Sequence, residues 1–210
     1  MKEVEYVKTN HVMIVKTQGK RCVKYAFEKL KYGEHTPNRF SALTLKHQNP
    51  SATIIMFSTG NITIMGPKTK WGALYVLSLL KDIFDLEIIH INVANIVVNL
   101  SQPPRAEFMK INDLYQWNKK DCDCDEDLFP SCTYMVPDTT IKANFFNSGQ
   151  IVVTGCSNDA TIETVIKHLI LVIDEFYKNS DAVKVIGKKL VVNGNETDKQ
   201  SCEQTQNDQV

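Results

Sequence analysis

A chain of 210 residues with 43% hydrophobic content is long enough for one large domain or two small ones fused tightly, and apolar enough to bury its own core. Its 24 basic and 24 acidic residues cancel to a formal net charge of zero, which excludes a protein that holds a polyanion by bulk charge alone. No apolar run approaches the ~20 residues needed to span a bilayer, and the start MKEVEYVKTN lacks the apolar stretch of a secretory signal, so a soluble protein is expected.

The charge is nonetheless unevenly spread. Lys8, Lys16, Lys20, Arg21, Lys24, Lys29, Lys31, Arg39 and Lys46 make the start basic, whereas Asp121, Asp123, Asp125, Glu126 and Asp127 form an acidic knot, a division that suits separate surfaces for separate partners. Six cysteines at irregular positions fit reduced thiols better than a disulfide framework.

In chain order, residues 1–9 read as an extension and Asn10 to Val15 as a strand. A helical stretch follows around Cys22 to Lys31, with Val23, Ala26, Phe27 and Leu30 at helical spacing. Strands are predicted over Phe40 to Lys46, Thr53 to Phe57 and Asn61 to Met65, the last two joined by a Ser58-Thr59-Gly60 hairpin, and an amphipathic helix closes the set. The unbroken apolar stretch from Glu87 to Leu100 is a long strand. Later, Asn147-Ser148-Gly149 marks a matching hairpin, and Ile162, Val165, Ile166, Leu169, Val172, Ile173 and Phe176 lie on one face of a second closing helix. From about Ser180 the chain is expected to be a polar, mobile tail.

The chain is a duplication. Phe40, Phe57, Gly60 and Gly66 return as Phe129, Phe146, Gly149 and Gly155, at an offset of 89 each time. Asn10-x-Val12 returns as Asn95-x-Val97 at an offset of 85, so the second copy carries four extra residues before its first phenylalanine. The repeats are therefore set at 10–94 and 95–179, with 180–210 as the tail. Each is a strand, a helix, several antiparallel strands and a helix, and the two sheets are expected to join through the Glu87 to Leu100 strand.

Strand side chains alternate between faces. Ile55 and Phe57 share one face, Ile54 and Met56 the other, and both sets are apolar; the same holds for Val12 and Ile14 against Met13 and Val15. If helices cover one face, the second is an apolar patch, which marks a binding surface unless a second sheet or a partner subunit buries it.

These landmarks resemble the TATA-binding protein family. The stretch TPNRFSALTLKHQNPSATIIMFSTGNITIMG from Thr36 is similar to the family's first-repeat motif, and DEDLFPSCTYMVPDTTIKANFFNSGQIVVTG to its second; the likeness covers about residues 10 to 178. The resemblance implies an α+β saddle of two pseudo-symmetric repeats, with a curved antiparallel sheet and helices on the convex face. It implies a general transcription initiation factor that binds and bends promoter DNA through the minor groove. By resemblance, Phe40 with Phe57 and Phe129 with Phe146 are wedges between base steps, Asn10 and Asn95 donate to minor-groove acceptors, and Val12, Val97, Ile55 and Val152 make apolar contacts. Thr154 matches a hydrogen-bonding threonine, and Arg39 and Lys46 are retained basic residues. Asp125, Glu126, Asp127 and Leu128 fall where the family's second loop meets a TFIIB-type initiation factor.

The sequence departs from the family at several of these places. Met65 stands where a threonine is expected, Met135 where a basic residue is common, and Lys142 and Asn144 where the family is apolar. Relaxed A·T-rich or TATA-like specificity follows as an expectation. So do the RNA polymerase machinery as partner, a monomer on DNA, no membrane and no cofactor, and a location in the nucleus, or in a cytoplasmic factory if the chain is viral.

Other chemistries have weaker support. Cys122, Cys124 and Cys132 lack the spacing of a structural zinc site. His11, His35, His47, His90 and His168 form no evident catalytic set and no phosphate-binding glycine loop is present, so an enzyme is not expected. The alternatives are a nucleic-acid-binding accessory module of the kind that saddle folds supply to some DNA glycosylases and RNases H, or an interaction protein that does not bind TATA elements.

Overall fold

The computed structural model describes residues 4–18, 34–35, 42–101, 103, 106, 109–125, 127 and 129–197. Met1–Lys167 and His168–Val210 form two compact units. The expected helix at Cys22 to Lys31 lies outside the described residues, as do Arg39, Phe40, Glu126 and Leu128.

Alternation of apolar side chains builds the first unit. Its strands are β1 (Tyr6–Thr17), β2 (Glu34–His35), β3 (Ala42–Gln48), β4 (Ser51–Phe57), β5 (Asn61–Met65), β6 (Ile88–Leu100), β7 (Cys122–Cys124), β8 (Cys132–Met135), β9 (Lys142–Phe145) and β10 (Ile151–Cys156). They form one sheet in the order β2-β3-β4-β5-β1-β6-β10-β9-β8-β7. All its pairings are antiparallel. The long strands β1 and β6 join the half from the first repeat to the half from the second, as expected of the Glu87 to Leu100 stretch.

One face of the sheet is the core. In β1 the buried residues are His11, Met13, Val15 and Thr17, while Val12, Ile14 and Lys16 between them are not. Met13, Val15, Leu43, Ile54, Met56, Ile62 and Ile64 pack in one cluster with Ala73, Val76, Leu77, Leu80 and Phe84 of helix α1 (Lys70–Phe84). The spacing of those five helical residues is that of one apolar stripe. The helix starts where Thr69 Oγ1 accepts from Gly72 N–H at 3.0 Å and stops at Asp85, which takes a left-handed conformation. In the second repeat, Ala143, Phe145, Ile151 and Val153 are buried by the same alternation, as are Ile111 and Leu114 of the short helix α2 (Ile111–Trp117).

Helix α3 (Asp159–Thr197) opens at Asn158, whose Oδ1 accepts from Thr161 N–H at 2.9 Å. In the second unit the same helix continues, with Leu169, Val172, Ile173 and Phe176 buried. The segment expected to be a mobile tail from Ser180 is thus helical as far as Thr197. The polar composition of the last residues hid a proline-free run, Asp181 to Val192, with Val183, Ile186 and Leu190 at helical spacing. β1 also begins at Tyr6, earlier than Asn10, because its first turns of alternation are carried by polar residues.

Two glycines make the repeat geometry possible. Gly66 (φ +110°), just after β5, and Gly155 (φ +98°), the last but one residue of β10, take a conformation that L side chains avoid. A Cβ at Gly66 would stand 3.0 Å from the Ser51 carbonyl oxygen, and one at Gly155 would stand 3.1 Å from the Thr140 carbonyl oxygen. Gly66→Ala and Gly155→Ala are each expected to cost about 1–3 kcal/mol from backbone strain, with crowding added. Urea denaturation should show lower midpoints at unchanged slope.

His11 is the one imidazole on the core face of β1, only 3% exposed. Burial, first of all, pushes its pKa below the usual histidine value; the nearby Lys8 pushes the same way, while the Pro67 carbonyl and Asp159 oppose them. The folded state therefore holds His11 neutral where the unfolded chain would protonate it. Its contribution to stability is full above the unfolded pKa of about 6.5 and is lost as pH falls through the folded value. Chemical denaturation between pH 7.5 and 5 should show this loss, and His11→Ile should flatten that part of the profile.

Candidate nucleic-acid interface

The face of the sheet away from α1 carries residues that strand alternation and the family resemblance single out. Val12 and Ile14 of β1, Ile55 and Phe57 of β4, Met65 of β5, Val97 of β6 and Val152 and Thr154 of β10 all stand on it, half-buried or exposed. Ile14 is 42% exposed. Cross-strand register extends this surface into rows. Thr44, Ile55, Thr63, Ile14 and Asn92 run across β3, β4, β5, β1 and β6. On the second side Thr133, Asn144, Val152 and Asn99 run across β8, β9, β10 and β6. Thr44, Thr63 and Asn99 were not singled out in the sequence, although Asn99 is two residues beyond Val97 and the same alternation reaches it.

At the centre the two repeats meet head to head. Asn10 pairs with Val97, and Val12 with Asn95, so each Asn-x-Val motif lies against the inverted copy of itself. Gly66 N–H donates to Asn10 Oδ1 at 2.7 Å, and Gly155 N–H donates to Asn95 Oδ1 at 2.7 Å. These bonds orient both amides: the oxygen is held by the backbone, and the NH₂ is left as the donor on the open face. The left-handed glycine at the far end of each strand is what aims its N–H at the asparagine.

Phe57 and Phe146 sit at equivalent hairpins, where Gly60 N–H and Gly149 N–H close back on the Phe57 and Phe146 carbonyls, each at 2.9 Å. Phe129 is 54% exposed and meets Phe146 edge to face, with ring centroids 5.9 Å apart. It is held by its own N–H donating to the Asp125 carbonyl at 2.9 Å. Two apolar rings are therefore presented together at one end of the surface; Phe40, the expected partner of Phe57, lies outside the described residues. Asp125 and Asp127 are exposed beside Phe129.

The departures fall into a pattern. Lys46 pairs with Thr53 in the first repeat; the equivalent pair in the second is Met135 with Lys142. The cation lost at Met135 thus stands directly opposite, one strand nearer the centre, a shift of about 4.8 Å. Asn144 is engaged, its Oδ1 accepting from Thr133 Oγ1 at 2.9 Å. Lys16, Lys46 and Lys142 are exposed on this face and Asp123 is the exposed acid among its described strand residues. Electrostatically this is an apolar band with basic margins. No group of three or more His, Cys, Asp or Glu among the described residues is placed to hold a metal ion.

Replacing Asn95 separates the two functions of its amide. Asn95→Asp keeps an acceptor for Gly155 N–H and should leave stability near that of the parent, whereas Asn95→Leu strands that N–H and should cost about 1–3 kcal/mol. Thermal and urea unfolding of the two variants side by side will show it.

Comparison with known proteins gives this geometry a context. The family model described as transcription factor TFIID, or TATA-binding protein, matches residues 4–82 and again 90–176. A TATA-box-binding protein-like 1 from Entamoeba histolytica is 26% identical over 132 residues, 60% of this chain and 60% of that protein. The aligned part thus spans under two thirds of that relative's length. The TATA-box-binding protein of Tetrahymena thermophila is 25% identical over 175 residues, covering 80% of this chain and 70% of the relative. Among solved structures, a TATA-binding protein from Methanococcus jannaschii superposes with a TM-score of 0.70 at 19% identity, over 81% of this chain and 99% of that one.

Proposed function

The chain belongs to the TATA-binding protein family, and from that premise we propose that its open sheet face lies along the minor groove of A·T-rich double-stranded DNA and bends it. The family and its fold are those of non-enzymatic, DNA-binding transcription factors, and this chain is a TATA-binding-protein-like transcription factor. What remains is how its own residues would engage DNA.

The observation that carries the reading is the pair of oriented amides at the centre. In the minor groove A·T pairs offer only acceptors, whereas a G·C pair adds a donor. Two amides whose oxygens are turned to a backbone N–H present their NH₂ donors. They match A·T steps and meet the guanine amino group donor to donor. Val12 and Val97 beside them exclude water and leave the choice to those hydrogen bonds.

Bending follows from the ends of the surface. Phe57 and Phe146 on their hairpins, with Phe129 beside the latter, are flat rings that replace part of the stacking they interrupt. Minor-groove wedging of this kind, of which TATA-binding proteins are themselves a standard example, offsets an unstacking cost of a few kcal/mol per step with the contact area that bent DNA allows. Arg39 and Phe40 complete the set by resemblance. Lys46 and Lys142 take phosphate positions at the margins. Met65 in place of a threonine removes one hydrogen bond on the first-repeat side, so discrimination there is relaxed. One chain supplies both halves, which suits a monomer on DNA. Asp125, Glu126, Asp127 and Leu128 are the surface for a TFIIB-type initiation factor, and through it the polymerase machinery. The eukaryotic and archaeal relatives support a nuclear or chromosomal transcription factor rather than one of a viral factory.

The test is binding to a TATA duplex and to a G·C-scrambled duplex of equal length, with dyes at both ends to read bending by energy transfer. The A·T-rich duplex should bind more tightly and show increased transfer. Phe57→Ala and Phe146→Ala should each lose most of that change while remaining folded, and Asn95→Asp should weaken the A·T-rich complex by tenfold or more. Met65→Thr should sharpen the preference several-fold, the value of one hydrogen bond at about 1 kcal/mol. Equal, unbent and steeply salt-dependent binding to both duplexes would overturn the proposal.

A further inference from the structure

At the edge of the second-repeat half of the sheet, β7 and β8 bring three thiols together on the core face. Cys124 stands directly opposite Cys132, and Cys122, two residues before Cys124, shares its face. Met135 N–H donates to the Asp121 carbonyl at 2.7 Å, which makes theirs a hydrogen-bonded pair. By alternation along β7, Cys124 and Cys132 form a non-hydrogen-bonded pair, the closer kind, with Cα atoms about 4.5 Å apart. A disulfide spans Cα separations of about 4.4–6.8 Å, so the two sulfurs can be joined with little movement of the strands. Cys132 already lies within hydrogen-bonding reach of both other thiols.

The first repeat shows what the fold requires at this place. By the offset of 89, Cys124 and Cys132 correspond to His35 and Leu43, which are paired in the same register across β2 and β3. The pairing is therefore met without sulfur. Exposure divides the roles of the two cysteines. Cys132 is fully buried, whereas Cys124 is half-buried, with its Sγ 3.9 Å from Asn112 Oδ1, so an oxidant reaches Cys124 first. The hydrogen bond to Cys122 pushes the Cys132 thiol above the usual range, and burial adds to it, so Cys132 keeps its proton until a sulfur electrophile stands beside it. Cys156 differs: it is buried, and burial pushes its thiol up, which leaves it inert. Exposed Asp123 and Asp125 flank Cys124 in the chain, and they disfavour an anionic oxidant while admitting a small neutral one.

We propose that Cys124 and Cys132 are a reversible oxidation site whose substrate is a peroxide, and that their disulfide closes a covalent ring around the segment that carries Phe129. The Cys124 thiolate attacks one peroxide oxygen; the O–O bond breaks, Cys124 becomes a sulfenic acid, and the hydroxide released leaves with the thiol's proton as water. The Cys132 sulfur then attacks the Cys124 sulfur, the S–O bond breaks, and the departing hydroxide takes the Cys132 proton as a second water. Two thiols lose two electrons and one peroxide gains them. A thiol reductant reverses the bond, as suits cysteines that are free in this structure. The ring encloses residues 125–131, where Phe129 N–H donates to the Asp125 carbonyl at 2.9 Å and Ser131 N–H to the Phe129 carbonyl at 2.7 Å. Covalent closure opposes the local opening that breaks these two bonds, and so fixes the exposed Phe129. The site stands whether or not the open face binds DNA.

The experiment treats the full, reduced chain with hydrogen peroxide under native conditions, quenches with catalase, caps the remaining thiols in denaturant and digests with an endoproteinase that cuts before aspartate. Cuts before Asp121, Asp123, Asp125, Asp127 and Asp138 put Cys122, Cys124 and Cys132 on separate peptides. Mass spectrometry should find the Cys124 and Cys132 peptides joined, two hydrogens lighter than their sum, and separated again by dithiothreitol. Linking should be at least tenfold faster in the folded chain than in urea, should persist in Cys122→Ser, and should be abolished in Cys124→Ser and in Cys124→His, which restores the residue of the first repeat. Hydrogen exchange at the Phe129 and Ser131 amides should slow several-fold on oxidation and recover on reduction. No linked peptide, a link through Cys122 or Cys156 or between two chains in its place, sulfinic or sulfonic acid at Cys124 without a disulfide, equal rates in urea, or unchanged exchange would each overturn the proposal.

Discussion

The antiparallel pairing of β1 with β6 is the contact on which the other features depend. It joins the halves of the sheet and sets Asn10 against Val97 and Val12 against Asn95, so that a motif present twice in the chain becomes one continuous centre. A slip of one residue in that register would turn every one of these side chains to the other face, placing amides in the core and Met13 and Val15 on the binding surface. The core under α1 guards against the slip, because Met13 and Val15 are fully buried in it. Packing on the covered face thus determines chemistry on the open one.

From that centre the repeats hold some features equal and let others diverge. The asparagine amides, the left-handed glycines that orient them and the hairpin phenylalanines are kept in both halves, with matching distances. Around them the halves differ: Lys46 with Thr53 in the first corresponds to Met135 with Lys142 in the second, and Met65 corresponds to Thr154. A surface whose centre is symmetric and whose margins are not would treat the two directions of a DNA site unequally. The covered side shows the same division, since Lys8 and His11 stand where Val93 and Ile96 suffice.

The two faces of the sheet also differ in character. The open face is broad, largely apolar and poor in charge, with basic residues at its margins. A cleft on the covered side is lined by Lys8, His11, Val93 and Ile96 and flanked by two capped helix starts, with Lys68 and Lys70 at the first. A neutral net charge on the whole chain is compatible with both, because the charges that matter are local.

Much of this was legible in the sequence because duplication and alternation are local properties. The fixed offsets of Phe57, Gly60 and Gly66 against Phe146, Gly149 and Gly155 marked the repeats. The period of two in β1 and β4 set Val12, Ile55 and Phe57 on the face opposite Met13, Ile54 and Met56, the resemblance made that face the open one, and the boundaries of β5 followed from its hairpin and its glycine. What the sequence could not supply was register. That Asn10 accepts from Gly66 N–H, that Lys142 stands opposite Met135, and that His11, Lys68 and Asp159 share one cleft are relations between strands and helix starts far apart in the chain. The end of α3 was also misread, since composition weighs residues singly while a helix is decided by the spacing of its apolar ones. Side-chain period is dictated by neighbours along the chain; which side chains meet is dictated by how the sheet closes over its core.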